Sequence, residues 1–331
     1  MKIGRLGTVF ILSCSSLVTV ASDLPRAADA SRSVSFAEIF SHSDDWTFRE
    51  WENGFLVGLD QRESGASAVV GYDSTGRMAL KTSIKYPGAD DIALTSATFD
   101  TAKHLIVAGG SSNSEGVVTN FIAQVHEDGS IEQLLRVNPF VVRQLCSAEP
   151  GKVWAIGSER DADRFAAYPI LREFGLRRGQ LRTAIPRNTT KLASQGRYGN
   201  DTMLRCSKTA VVLYSSTTGE LFKYDLRKDI LQSWKITRFD FYSIRATGLG
   251  IDDSGQIFAS LHRLPTKTAH LQTGLYVLNI GQDGNANWEP IPGTVSSDSV
   301  VKLLGVEHHT LVYMPDARDP LATTVFTPIK R

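Results

Sequence analysis

Apolar and polar positions along the chain recur with a period of about 50 residues, the repeat length of propeller blades and solenoid arrays. The repeat is clearest in four segments: Ala68–Arg77, Phe121–Ser130, Leu221–Asp229 and Leu275–Gly284. Each reads as a short apolar strand and a polar turn. A second strand follows and ends near Ile84, Val137, Ile236 or Ile291. The preceding half-units also recur, at Thr47–Asp60, Ile92–Gly109, Val141–Gly157, Met203–Tyr214, Ala246–Leu261 and Val301–Tyr313. Most carry a turn between two apolar runs, such as Glu52-Asn-Gly54, Asp100–Lys103, Glu149–Lys152, Asp252–Gly255 and Glu307–His309. Asp, Asn, Gly and Pro suit those positions because they tolerate or preset tight-turn dihedrals. Regularly spaced strands rich in Val, Ile, Leu and Phe, bounded by such turns, predict an all-β protein. No stretch after the first 30 residues has the period of an amphipathic helix.

Six units of four antiparallel strands fit the length, which makes the expected architecture a six-bladed β-propeller over residues 31–331. With strands named a to d from the axis outward, the a–b and c–d turns are tight. The b–c connections read as long and polar: Asp60–Ser67, Gly110–Thr119, Ser158–Ala167, His262–Thr273 and Pro315–Ala322, with Ser215–Gly219 as the short exception. Up-and-down blades put the b–c and d–a loops on one face, so that loop-rich mouth of the channel is where binding is expected. The last unit runs out after Thr323–Ile329, one strand short. The segment Arg32–Phe40, alternating at Val34, Phe36 and Ile39, is expected to supply the missing outer strand and close the ring.

The segment Gly248–Ala259 contains a strand, an Asp-x-x-Gly turn (Asp252–Gly255) and a second strand. It resembles the repeat signature of the six-bladed NHL and TolB-like propellers. The resemblance implies the fold alone, since propellers host unrelated functions.

Composition narrows the picture from another side. A formal net charge of +1 and the lack of any long basic run exclude a strongly cationic nucleic-acid binder. Lys2 and Arg5 followed by the apolar run Thr8–Ala21 read as a signal peptide within residues 1–30, with cleavage after Ala21 or after Ala30. The run is too short to span a bilayer comfortably, so release into the periplasm or medium is expected, and a monomer with it. Cys14 lies inside the signal, where Ile11-Leu-Ser-Cys14 faintly resembles a lipoprotein signal although it sits early. Cys146 and Cys206 occupy similar contexts at the start of two units. In an oxidising compartment they are either a structural disulfide or two buried thiols.

Motifs for a reaction are sparse. The chain has no Gly-x-Ser-x-Gly elbow and no phosphate loop, and the adjacent His308-His309 cannot easily share a metal on a strand. Basic residues begin the inner strands at Arg143, Arg205, Arg245 and Lys302, and His262-Arg263 opens the longest b–c loop. Together these make candidate donors for a small anionic ligand. The leading expectation is therefore a binding or scaffolding module for a protein, a peptide or a small anion, with no cofactor. The alternative is a metal-dependent lactonase-like hydrolase or lyase. In that reading Asp91, Asp201 and Asp298, which begin alternate units, converge on Ca²⁺. Gluconolactonase-like propellers use such metals, but the chain matches none of their motifs closely enough to transfer residues.

Overall fold

The computed structural model describes residues 26–27, 31–36, 46–63, 66–161, 164–165, 170–186, 202–215, 218–236, 244–263, 272–295, 299–318 and 323–330. Among them every regular element is a strand, and the strands form six antiparallel sheets in chain order. Blade 1 is built from Trp46–Glu52, Phe55–Glu63, Ala66–Asp73 and Met78–Ser83. Blade 2 is Asp91–Phe99, Leu105–Ser112, Val118–Val125 and Ile131–Arg136. Blade 3 is Phe140–Glu149, Lys152–Asp161, Ile170–Gly175 and Gly179–Ile185. Blade 4 is Thr202–Cys206, Ala210–Ser215, Glu220–Asp225 and Ile230–Lys235. Blade 5 is Ile244–Ile251, Ile257–Arg263, Gly274–Ile280 and Ala286–Pro290. Blade 6 has Lys302–Glu307, Thr310–Met314 and Thr324–Lys330. Successive inner strands touch one another and the sixth returns to the first, so the blades form a ring.

The strand sequences follow from their place in a blade. Ala210–Ser215 is buried along its whole length because a second strand is covered by both neighbouring blades. The outer strand Ile230–Lys235 is mostly exposed. Six apolar clusters result, each holding one pair of adjacent blades. Leu59 and Leu94 join blades 1 and 2, Ile106 and Val153 join 2 and 3, and Trp154 and Leu213 join 3 and 4. Val212 and Leu249 join 4 and 5, Phe258 and Leu303 join 5 and 6, and Trp51 and Leu304 join 6 and 1. Each fully buried Leu, Val or Phe contributes about 1.5–3 kcal/mol of transfer free energy. Trp154 and the half-buried Trp234 pack between blades, as their strand positions predict.

The ring closes through the N-terminal segment. Arg32, Ser33 and Val34 pair with Phe326, Val325 and Thr324, which gives blade 6 its outer strand. Phe36 is buried in the cluster between blades 6 and 1, edge-on to Tyr72 at 6.0 Å. A further pairing, Arg26 with Lys330 and Ala27 with Ile329, lies upstream of the segment expected from sequence. Ile39, Cys14, Ala21 and Ala30 lie outside the described residues.

Two of the b–c connections are not the long loops that their polarity predicts. In blade 1 the ladder continues to Glu63 opposite Ala66, and in blade 2 to Ser112 opposite Val118. Asn113 closes the latter turn by accepting from the amides of Glu115 and Val117. Polar residues, Ser and Thr among them, sustain a strand beyond the apolar core because the ladder needs backbone groups rather than hydrophobic side chains. In blade 3 the pair Arg164–Phe165 folds back on Arg160 and Asp161.

The inner strands of blades 1, 2, 3, 5 and 6 each carry a register shift against their second strand. The inner strand of blade 4 pairs without one. Neighbouring inner strands approach closely enough to require glycine at two positions. A Cβ on Gly248 would lie 1.9 Å from the Leu303 carbonyl oxygen, and one on Gly305 would lie 2.6 Å from that of Trp51. Side chains pin the same seams, as where Leu145 N donates to Ser96 Oγ (2.9 Å) and Leu303 N to Ser260 Oγ (2.9 Å).

Candidate functional site at the turn-face end of the channel

The a–b turns of the six blades gather around the axis, each linked to a neighbour. In blade 5, Asp252 Oδ1 accepts from the amides of Ser254 and Gln256 (2.9 Å each), which shapes the turn. Its Oδ2 lies 3.0 Å from His309 Nδ1 of blade 6. Burial works to raise the Asp252 pKa, but the hydrogen bonds from Ser254, Gln256 and His309 prevail and hold it below the usual range. Asp100 repeats the design in blade 2: Oδ1 accepts from the amides of Ala102 and His104, and Oδ2 from Gly151 N of blade 3 at 3.0 Å. In blade 1, Asn53 Nδ2 donates to the Phe99 carbonyl of blade 2 at 2.6 Å. Trp51 Nε1 donates to Glu307 Oε2 of blade 6 at 2.9 Å. The bond from Cys146 to Cys206 joins blades 3 and 4, with an S–S distance of 2.07 Å.

Inside this belt lies a pocket of about 320 Å³ to which every blade contributes. Glu52 and Arg205 line its buried part, while Lys208 and His308 stand at the exposed rim. Glu50 and Glu52 are two residues apart on the inner strand of blade 1, so they face the same way. Arg205 comes from the inner strand of blade 4, on the opposite side of the ring. Its guanidinium nitrogen lies 2.5 Å from Glu50 Oε1, an ion pair across the channel between side chains only 5% and 10% exposed. Arg205 Nη1 also donates to the Leu204 carbonyl at 2.6 Å.

The buried charges are unevenly matched. Burial pushes the Glu50 carboxyl up, while Arg205 and Lys302 pull it back toward ionisation. Glu52 has less help: burial, aided by the neighbouring Glu50, raises it to about 8 against the pull of Arg205 and Thr98. At neutral pH Glu52 is therefore mainly a neutral acid. Glu50 Oε2, Glu52 Oε1 and Arg205 Nε are buried without a hydrogen-bond partner. Such groups are normally satisfied by protein, water or ligand.

This pocket sits at the end of the channel opposite the loop-rich mouth expected to bind. Arg143 is exposed on the inner strand of blade 3. Lys302 is half-buried at the start of the inner strand of blade 6 and acts on Glu50 through its charge. His262 Nδ1 lies 3.3 Å from Thr273 Oγ1. None of these three lines the pocket. The side chains of Arg245, Arg263 and Trp46 lie outside the described residues. Asp91 is exposed where blade 2 begins, and Asp201 and Asp298 lie outside the described residues. Among those described, no three His, Cys, Asp or Glu side chains are grouped so as to hold a metal ion. His308 and His309 occupy a left-handed turn (φ 43° and 64°). They reach Asp253 and Asp252 of blade 5 rather than a common ion. Trp51 is buried at the turn end against Phe326 (ring centroids 5.1 Å apart).

The residues that sequence reasoning missed are Glu50 and Glu52. Their signal is the strand Trp-Thr-Phe-Arg-Glu-Trp-Glu (46–52), where one alternating face turns from aromatic to acidic. Arg205 gives the matching signal between Leu204 and Cys206. A charge set among apolar residues on an innermost strand has little but the axis to face.

No family model matches the sequence, and no curated protein matches it. Solved structures do match. A member of the DUF4221 family from Bacteroides vulgatus is similar at TM-score 0.55 and 11% identity, over 93% of this chain and 98% of that one. A putative exported protein from Bacteroides fragilis is similar at TM-score 0.50 and 13% identity, over 86% and 90%. A periplasmic gluconolactonase from Pseudomonas aeruginosa aligns at TM-score 0.44 and 11% identity, over 79% and 75%, and carries no argument about activity. These likenesses concern the fold: the chain is a six-bladed β-propeller.

Proposed function

We propose that this propeller is an exported binding module that takes a small polar ligand in the axial pocket on its turn face. One observation carries the reading. A cavity shared by all six blades ends on buried polar atoms of Glu52 and Arg205 that have no protein partner. Concave sites with a few convergent polar groups and a shifted titratable residue are the usual form of a binding site. Export is supported by the apolar N-terminal run and by the likeness to an exported propeller. The module needs no cofactor and works as a monomer. A protein or peptide partner on the loop-rich face would be additional to it.

The test is a thermal-shift screen of the mature chain against small amines, carboxylates, polyols and divalent metals. It is repeated with Lys208→Trp, which plugs the rim. A ligand at 100 times its dissociation constant stabilises by about 2.7 kcal/mol. Shifts seen in the parent and lost in Lys208→Trp support the reading. Shifts equal in both proteins place the site elsewhere, and a metal-specific shift that survives the plug favours the hydrolase built on Asp91, Asp201 and Asp298. A screen with no shift at all ends the ligand-binding reading.

A further inference from the structure

We propose that the axial pocket selects a cationic amine, with its ammonium group seated against Glu52 and a neighbouring ligand oxygen facing Arg205. This rests on the pocket being the binding site and adds the class of ligand. Glu50 and Glu52 present two buried carboxyl groups on one face of one strand. Arg205 answers the first across the channel at 2.5 Å. Neither Glu52 Oε1 nor Glu50 Oε2 has a donor, and the charge of Lys302 acts on Glu50. The floor is thus short of hydrogen-bond donors, and Glu52 has no cation of its own against which to ionise, Arg205 being engaged by Glu50. An ammonium group supplies both, with three N–H donors on a compact charge.

The competing classes fit less well. An anion would approach the two carboxyls while the one buried guanidinium is already engaged by Glu50. A neutral polyol would hydrogen-bond to the floor but leave Glu52 in its neutral form, so it gains no charge-assisted bond there. A divalent metal wants about six or more oxygen ligands without a guanidinium beside them. The unpartnered Arg205 Nε is a donor, so it calls for an acceptor on the ligand near the amine. Small amino alcohols and amino sugars carry that pair of groups.

The groups facing Glu52 also define a second readout. They are Glu50 on its own strand, Arg205 from blade 4 and Thr98 from blade 2; Lys302 from blade 6 acts through Glu50. With no ligand, Glu52 holds its proton at neutral pH. Seating an ammonium beside it favours the carboxylate, so the proton passes to the buffer.

Isothermal titration at pH 7 tests this with glucosamine, ethanolamine and 1,4-diaminobutane, and with glucose and acetate as neutral and anionic controls. Glucosamine is expected to bind at least ten-fold more tightly than glucose, with a binding heat that varies with the ionisation enthalpy of the buffer. Glu52→Gln keeps the side-chain size and is expected to lose at least ten-fold in amine affinity. If that variant does not fold, the glucosamine–glucose comparison in the parent protein decides alone. Equal binding of glucosamine and glucose, or full amine affinity in Glu52→Gln, overturns the proposal. Glucose or acetate bound in a Lys208→Trp-sensitive manner without any amine overturns the ligand class and leaves the binding module standing. No probe bound at the pocket removes both.

Discussion

The layers between the blades and the side chains at the floor of the axial pocket are both buried, yet they are made of opposite materials. Between blades 4 and 5, Val212, Leu249 and Ala259 are completely buried and carry no polar side-chain atom. At the axis, Glu50, Glu52 and Arg205 are nearly as buried and carry three polar atoms without partners. The interblade layers gain free energy by leaving water. The axial groups give some of it up, because a buried ion pair seldom recovers its full desolvation cost. A ring of six blades inevitably has a centre, and this chain has filled it with charge that its own packing does not require. That difference is the reason for looking to the axis for function.

The comparison is broken most severely by leaving one axial charge alone. Glu50→Gln strands Arg205, which cannot neutralise itself, and should cost about 3–5 kcal/mol in urea unfolding at pH 7. The double variant Glu50→Gln/Arg205→Met should recover much of that loss. A cost below about 1 kcal/mol for the single variant would mean that water reaches the pair freely. In the apolar layer, Leu249→Ala should cost about 2–5 kcal/mol through lost transfer and a residual cavity. It should do so with no dependence on pH between 6 and 8.

Glu52 sharpens the contrast through pH. Its folded pKa of about 8 lies above the ordinary 4.5, so the folded state binds more protons than the unfolded one in between. Its contribution is therefore fully present below about pH 4.5 and is lost as pH rises toward 8. From pH 6 to pH 8 the parent protein should lose about 2 kcal/mol relative to Glu52→Gln. Parallel stability curves for the two proteins would show that Glu52 titrates normally. At the small end, Arg77 pairs with Asp73 from a side chain 80% exposed. Arg77→Ala should change stability by no more than about 0.5 kcal/mol.

Much of this fold is legible in the chain because its causes are local. Runs such as Ala210–Ser215 and turns such as Asp252–Gly255 state their structure through nearest neighbours, and repetition with a period near 50 residues turns those statements into a ring. Arg32–Val34 could be assigned because the last unit lacked a strand. The b–c hairpin of blade 2 reads as a loop because Ser111 and Ser112 look like loop residues when taken singly. The axial site was hidden for a different reason. Glu50 and Arg205 are 155 positions apart, and their meeting depends on blades 1 and 4 facing each other across a closed ring. Arg205 gave no hint of that partner, since Asp201 lay closer in sequence. Reading the site required knowing the ring first, then asking which innermost residues are charged.

The seam made by Arg32–Val34 against Thr324–Lys330 bears on how the molecule is made. A ribosome delivers the chain from its N-terminus, so the outermost strand of the sixth blade is synthesised before the first blade and its partner only after the other five blades. Until Thr324–Lys330 emerges, Arg32–Val34 has no ladder to join and Phe36 lacks the Phe326 side of its cover. The final pairing therefore acts as a completeness check. A chain truncated ahead of residue 324 would keep its first five blades but present an unlatched edge, the form of surface by which unfinished β proteins aggregate and draw quality-control factors.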